Sequence, residues 1–196
     1  MMVRDARPWT HAALFGALWG CLELSVGTVL PLGQLPMKGM LMGSLGLICL
    51  ITLRRLQPRP GVCLIAGVVA VFLKVFTIGG LYPGPVIGIS LEAIIVELAF
   101  TATLSRAPGA VLGGALALAV NPLQKVLMTW VVAGPEAVRA AVKGIQVLSD
   151  RTGLPEVDGV TILAALAVFS ASVGGLVGGM AWVLAGRVLR RLGRNP

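Results

Sequence analysis

The 196-residue chain is 57% hydrophobic and only 12% charged, with a mean hydropathy of +0.93, a balance that excludes a water-soluble domain of this size. Its net charge of +8 would suggest nucleic acid in a soluble protein, but here the positive residues sit in short stretches between apolar runs, so no nucleic-acid partner is expected. Cys21, Cys49 and Cys63 all fall in or beside apolar runs without metal-ligand spacing and read as small packing residues.

Apolar runs of about 20 residues recur along the whole chain, each long enough to cross ~30 Å of hydrocarbon. Backbone polar groups in lipid need internal partners, so the runs are expected to be helices, and the ~10-residue alternation of a β-barrel is absent. The expectation is an all-α integral membrane protein, a bundle of six transmembrane helices forming a single membrane domain over residues 1–196. The first span covers about 9–29. Arg4 and Arg7 precede it, and Leu18-Trp19-Gly20-Cys21 resembles a processing site, but the bulky Trp argues against cleavage. The second covers about 35–53 and stops at Arg54-Arg55, before the Pro58-Arg59-Pro60 loop. The third covers about 61–78, and the uncharged turn from Gly79 to Pro85 leads to a fourth at about 85–104. The fifth, about 110–132, is interrupted at Asn121-Pro122, and the sixth covers about 160–185. Between the last two, residues 134–159 carry Val138, Ala141, Val142, Ile145 and Leu148 at helical spacing. With Glu136, Arg139, Lys143 and Gln146 between them, this stretch reads as an extracytoplasmic amphipathic helix started by Pro135.

Orientation follows from the positive residues. Arg4, Arg7, Arg54, Arg55, Arg59, Arg106, Arg187, Arg190, Arg191 and Arg194 collect on one side of this scheme, and Arg139, Lys143 and Arg151 on the other. The richer side is expected in the cytoplasm, which puts both termini there, with the chain multi-pass in the cell's inner (plasma) membrane.

Six charges fall inside spans: Lys38, Lys74, Lys125, Glu23, Glu92 and Glu97. Each costs ~2.5 kcal/mol or more near the bilayer centre. Counted from the outer end of its span at ~1.5 Å per residue, Lys38 lies ~5 Å deep, Lys74 ~6 Å, Glu23 ~9 Å, and Glu92 and Lys125 ~11 Å. Glu97, at ~18 Å, is nearer the cytoplasm. Asn121 and Gln124 lie beside the outer group, so five helices direct polar residues to one half of the bundle. The expected substrate-binding residues are Glu23, Lys38, Lys74, Glu92, Asn121 and Lys125, lining a polar pocket that opens outward. The alternative is a set of buried ion pairs, such as Glu23–Lys38 or Lys74–Glu92, that fix helix register.

Small residues mark close helix contacts. Ser170, Gly174 and Gly178 form one row in the sixth span, with Gly175 and Gly179 one step round. In the first span Ala13 and Ala17 form a row beside Ala12, Gly16 and Gly20. Enzyme signatures are missing: His11 is the single histidine, and no metal-ligand set, phosphate-binding loop or nucleophile with a matching base is present. No enzyme activity, metal or cofactor is expected.

Six helices in about 190 residues, an outward polar pocket and the Ala13/Ala17 row resemble the substrate-binding S component of an energy-coupling factor (ECF) transporter. The stretch from Gly84-Pro85 through Leu91-Glu92-Ala93 is similar to sequences described as such components. The resemblance implies capture of a vitamin, vitamin precursor or similar small solute outside the cell. It implies docking through Ala13 and Ala17 on a transmembrane coupling subunit, with two ATPase subunits powering release. The signatures of the thiamin, riboflavin and biotin members are absent, as is the N-terminal histidine of the nickel and cobalt members. The first outer loop is short, which passes the usual lid role to residues 134–159. An autonomous small carrier or channel, with its intramembrane acids coupled to protons, and a membrane assembly subunit are the other classes this composition fits.

The topology is testable with single cysteines at the two termini and within residues 134–159, labelled by an impermeant reagent. Only the 134–159 position is expected to react from outside; reaction at the C-terminus from outside would refute the scheme.

Overall fold

The computed structural model describes residues 6–29, 38–76, 83–152, 158–191 and 193. These residues form six helices: α1 (Arg7–Val29), α2 (Lys38–Leu56), α3 (Val62–Val75), α4 (Pro83–Ala102), α5 (Ala107–Thr152) and α6 (Gly159–Arg191). No strand occurs among the described residues. Four stretches are long and apolar enough to cross a membrane, namely Gly39–Leu56, Pro83–Ala102, Ala107–Ala140 and Gly159–Arg191. α3 is apolar but only 14 residues long, ~21 Å as described.

α2 is the hub and touches each of the other five helices, while α1, α3, α4, α5 and α6 follow one another around it. Half of its apolar window is buried, against 11% for α6. Leu47, Leu50, Ile51 and Leu53 of α2 are fully enclosed, with Trp19 from α1, Val62 and Cys63 from α3, Val96 and Phe100 from α4, and Leu118 from α5. The periphery is equally apolar: Leu14, Val68, Phe72, Leu98, Leu127 and Leu176 all point outward. An apolar exterior over an apolar core is the distribution that suits lipid rather than water.

Small residues set the closest approaches. A Cβ on Gly174 or Gly178 would collide with the backbone carbonyl of Gly114 or Ala110, so the Gly174/Gly178 row seats α6 directly on α5. On α1, a Cβ on Gly16 would meet the Ala66 backbone, and Gly20 packs against Leu73 and Ala70 of α3.

Two boundaries depart from the sequence reading. α2 continues through Arg54 and Arg55, because both guanidiniums have partners inside the fold. Arg54, 2% exposed, donates to the Arg59 carbonyl and pairs with Glu97 at 3.5 Å. Arg55 donates to the Trp182 carbonyl, its guanidinium 4.2 Å from the centre of the Trp182 ring, and so ties α2 to α6. In α5, helix passes through Asn121-Pro122 and breaks only at Gly134 (φ 82°, ψ 172°), a conformation open to glycine. The segment started by Pro135 is therefore a continuation of α5 beyond that kink, and Gly159 lies against Val142.

Glu97 anchors the arginine-rich end. It accepts from the backbone N–H of Gly61 at 2.8 Å and of Cys63 at 3.1 Å, filling orphan donors at the start of α3 with a negative charge. His11 Nδ1 and Gln57 Nε2, 2.9 Å apart, join α1 to the end of α2 at the same pole. Removing one partner of a buried pair costs ~3–5 kcal/mol. Glu97→Ala is expected to destabilise the protein by about that much in detergent unfolding, and Glu97→Gln, which keeps a carbonyl for Gly61, by less. Equal, negligible losses would show that the carboxylate does not hold this end together.

Candidate functional site

The second polar group forms at the opposite pole and starts from glycines on α2. Gly39, Gly43 and Gly46 stand four and then three residues apart, so they share one face. Gly46 is the closed end. A Cβ there would lie 2.6 Å from Glu92 Oε1 and 2.7 Å from Cε2 and Cζ2 of Trp19. One turn up, a Cβ on Gly43 would lie 2.7 Å from Leu118 Cδ2, 3.1 Å from Asn121 Nδ2 and 3.5 Å from Glu92 Oε2. At Gly39 nothing lies within 4 Å among the described residues. The glycine face is thus filled at Gly46 and Gly43 by side chains from α1, α4 and α5.

Glu92 is 7% exposed, and its Oε1 has no hydrogen-bond partner. Trp19 is wholly enclosed, and its indole N–H is likewise unpartnered. The carboxylate oxygen and the carbon edge of the indole both pack on Gly46. Leaving such buried groups unsatisfied costs ~1–3 kcal/mol each, and more for a charged one.

Around this pair the other polar residues are occupied. Lys74 Nζ lies 3.2 Å from Glu23 Oε2 and donates to the Glu23 carbonyl at 3.3 Å, joining α3 to α1. Asn121 Nδ2 donates to the Gly39 carbonyl at 3.5 Å, and Gln124 Nε2 to the Gly84 carbonyl at 2.6 Å, bracing α5 against α2 and α4. Pro122 has no N–H for the Leu118 carbonyl one turn earlier.

Of the six residues expected to bind substrate, Glu23 and Lys74 thus pair with each other, and Glu92 and Asn121 meet at Gly43. Lys125 is exposed, and Lys38 begins α2 with its side chain outside the described atoms. Trp19, Gly39, Gly43 and Gly46 were not among the expected site residues, although the glycine spacing on α2 is readable in the sequence. Ala13 is exposed and Ala17 half-buried, one step round α1 from the Gly16/Gly20 row that packs on α3. The larger apolar groove, about 1050 Å³ between α5 and α6, is lined by Val111, Ala115, Gly175, Gly179 and Met180 among others and is remote from these charges. No group of His, Cys, Asp or Glu among the described residues has the makings of a metal site.

No protein-family model matches the chain, and no curated protein or solved structure is significantly similar to it.

The Glu23–Lys74 contact is testable by a double-mutant cycle. Glu23→Gln and Lys74→Met are each expected to cost ~1.5–3 kcal/mol in unfolding, and the double variant clearly less than their sum. Additive losses would mean that the two side chains act separately.

Proposed function

We propose that the chain is a six-span inner-membrane protein with both termini in the cytoplasm, acting as the solute-capture component of an ECF-type importer. The observation that carries this reading is the Glu92 carboxylate, buried and unsatisfied where the α2 glycine face narrows. A buried polar group without a partner is a standing cost, and a bound solute would supply the missing bond. The buried carboxylates of the two poles differ in the way such a role needs. At the arginine-rich pole Glu97 has Arg54 and two backbone N–H donors as partners, which suits a fixed structural end, although Arg54 Nε and Arg55 Nε are themselves without a partner among the described residues. At the opposite pole the described polar side chains come from α1, α3, α4 and α5, and the Glu92 carboxylate keeps an acceptor open. The charge split supports placing the first pole in the cytoplasm.

The coupling subunit and its two ATPases meet the chain on the outward Ala13/Ala17 face of α1. Small side chains there let a partner helix approach closely. Gly16 and Gly20 already serve α3, so the two rows have separate tasks.

Ala13→Trp is expected to abolish co-purification of tagged protein with ATPase subunits from its own host's membranes, and ATP-dependent uptake with it. Thermal stability should change little, because Ala13 is exposed. Uptake that survives the substitution, or that proceeds in cells lacking a coupling subunit, would replace this reading with an autonomous carrier. Unfolding of the Ala13→Trp variant would place the row inside the bundle and remove it as a docking face.

A further inference from the structure

We propose that the groove between α5 and α6 holds one anionic glycerophospholipid, with an acyl chain along Gly175 and Gly179 and the phosphate on Arg187. The site shares no residue with the polar group around Glu92 and goes beyond the capture reading. Its floor comes from the two glycines. Among the described residues, a Cβ on Gly175 would find nothing nearer than Val111 at 3.6 Å, and one on Gly179 would meet Val111 at 3.7 Å, both ordinary contact distances. These positions are therefore hollow, where their neighbours Gly174 and Gly178 touch the main chain of α5. The lining is apolar except for Ser172 and Arg187, and the Ser172 hydroxyl already donates to the Val168 carbonyl.

Length selects a lipid over a second helix. The lining on α6 runs from Ala171 to Arg187, ~24 Å at ~1.5 Å per residue. One leaflet with its headgroup layer is ~20 Å deep, whereas a partner helix would cross the full ~30 Å of hydrocarbon. Beyond Ala171 the helix turns the bulky Phe169, Val168 and Leu166 outward. Charge then selects the headgroup. Arg187 is exposed and is the charged residue of the lining, at the end of α6 that also carries Arg190 and Arg191. No ion pair or hydrogen bond holds its guanidinium among the described residues. α6 has no acidic residue, and the first on α5 is Glu136, past the Gly134 kink. A headgroup carrying an ammonium would find arginines and no carboxylate on either helix. One whose net charge is its phosphate meets a complementary end, and basic residues in a cleft between spanning helices attract anionic lipids in this way. The planar guanidinium also matches phosphate oxygens two at a time.

The test offers the intact protein in detergent dioleoyl phosphatidylglycerol, dioleoyl phosphatidylcholine or glycerol 3-phosphate, and reads binding by native mass spectrometry and melting temperature. One phosphatidylglycerol per chain is expected to stay bound and to raise the melting temperature, phosphatidylcholine to do so less, and glycerol 3-phosphate not at all. Arg187→Gln should weaken phosphatidylglycerol ~5-fold, to the level of phosphatidylcholine. Gly179→Leu fills the hollow without altering any charge and should cost retention of both lipids. A phosphatidylglycerol preference that survives Gly179→Leu would be surface attraction to the arginines, and one that survives Arg187→Gln would leave the phosphate unheld; either result overturns the site. Equal binding of the two lipids, binding of glycerol 3-phosphate as tight as that of the lipid, or a dimer that Gly179→Leu splits overturns it too, the last by making the groove a contact between copies. Should Gly179→Leu fail to fold, Gly175→Leu replaces it, and Arg187→Gln, at an exposed position, decides in either case.

Discussion

A charged group withdrawn from water must be met by other protein groups, and the three buried glutamates of this bundle meet that demand differently. Glu97 has Arg54 and two backbone N–H donors, and Glu23 has Lys74. Glu92 has a glycine surface and the edge of an indole. The first arrangement fixes α2, the turn before α3 and α4 as one unit, since Arg54, Gly61, Cys63 and Glu97 come from all three. The second fastens α1 to α3. The third fastens nothing, and the fold tolerates its cost because the remaining contacts of α4, through Val96 and Phe100, lie in the apolar core.

α2 makes this possible by carrying two different faces. Leu47, Leu50, Ile51 and Leu53 fill the core, and Gly39, Gly43 and Gly46 withdraw from it to leave room for larger side chains of α1, α4 and α5. A central helix of large residues throughout would have pushed Glu92 outward. An alanine at position 46 would already press on both Glu92 and Trp19. Apolar packing and polar site are thus two sides of one helix, and the site's shape is set by what α2 lacks.

Much of this organisation was legible in the sequence. Helix number and type followed from apolar run length, whereas the stretch after Pro135, expected as a helix of its own, continues α5 beyond the Gly134 kink. The depth of Glu97 set it apart from the other charges, and it does occupy the other pole. Its partner was not legible, because Arg54 counted as a loop residue; only a buried acceptor nearby explains why α2 runs on past it. The pairing of Glu23 with Lys74, where Lys38 was an expected partner, depends on how α1 and α3 are rotated about their axes, which depth alone does not give. The same ambiguity separates Ala13 from Gly16: three residues apart on one helix, one faces out and the other meets the Ala66 backbone.

The glycine contact between α5 and α6 bears on how the chain assembles. Gly114, Gly174 and Gly178 bring main chain against main chain, so this part of the docking freezes few rotamers and forgoes little side-chain entropy. α6 is also the least enclosed of the four long apolar helices. The first five helices contain nearly all of the enclosed core residues and can consolidate around α2 while α6 is still emerging. Docking α6 then brings one smooth helix onto a nearly complete surface, with Arg55 clasping Trp182 where it seats.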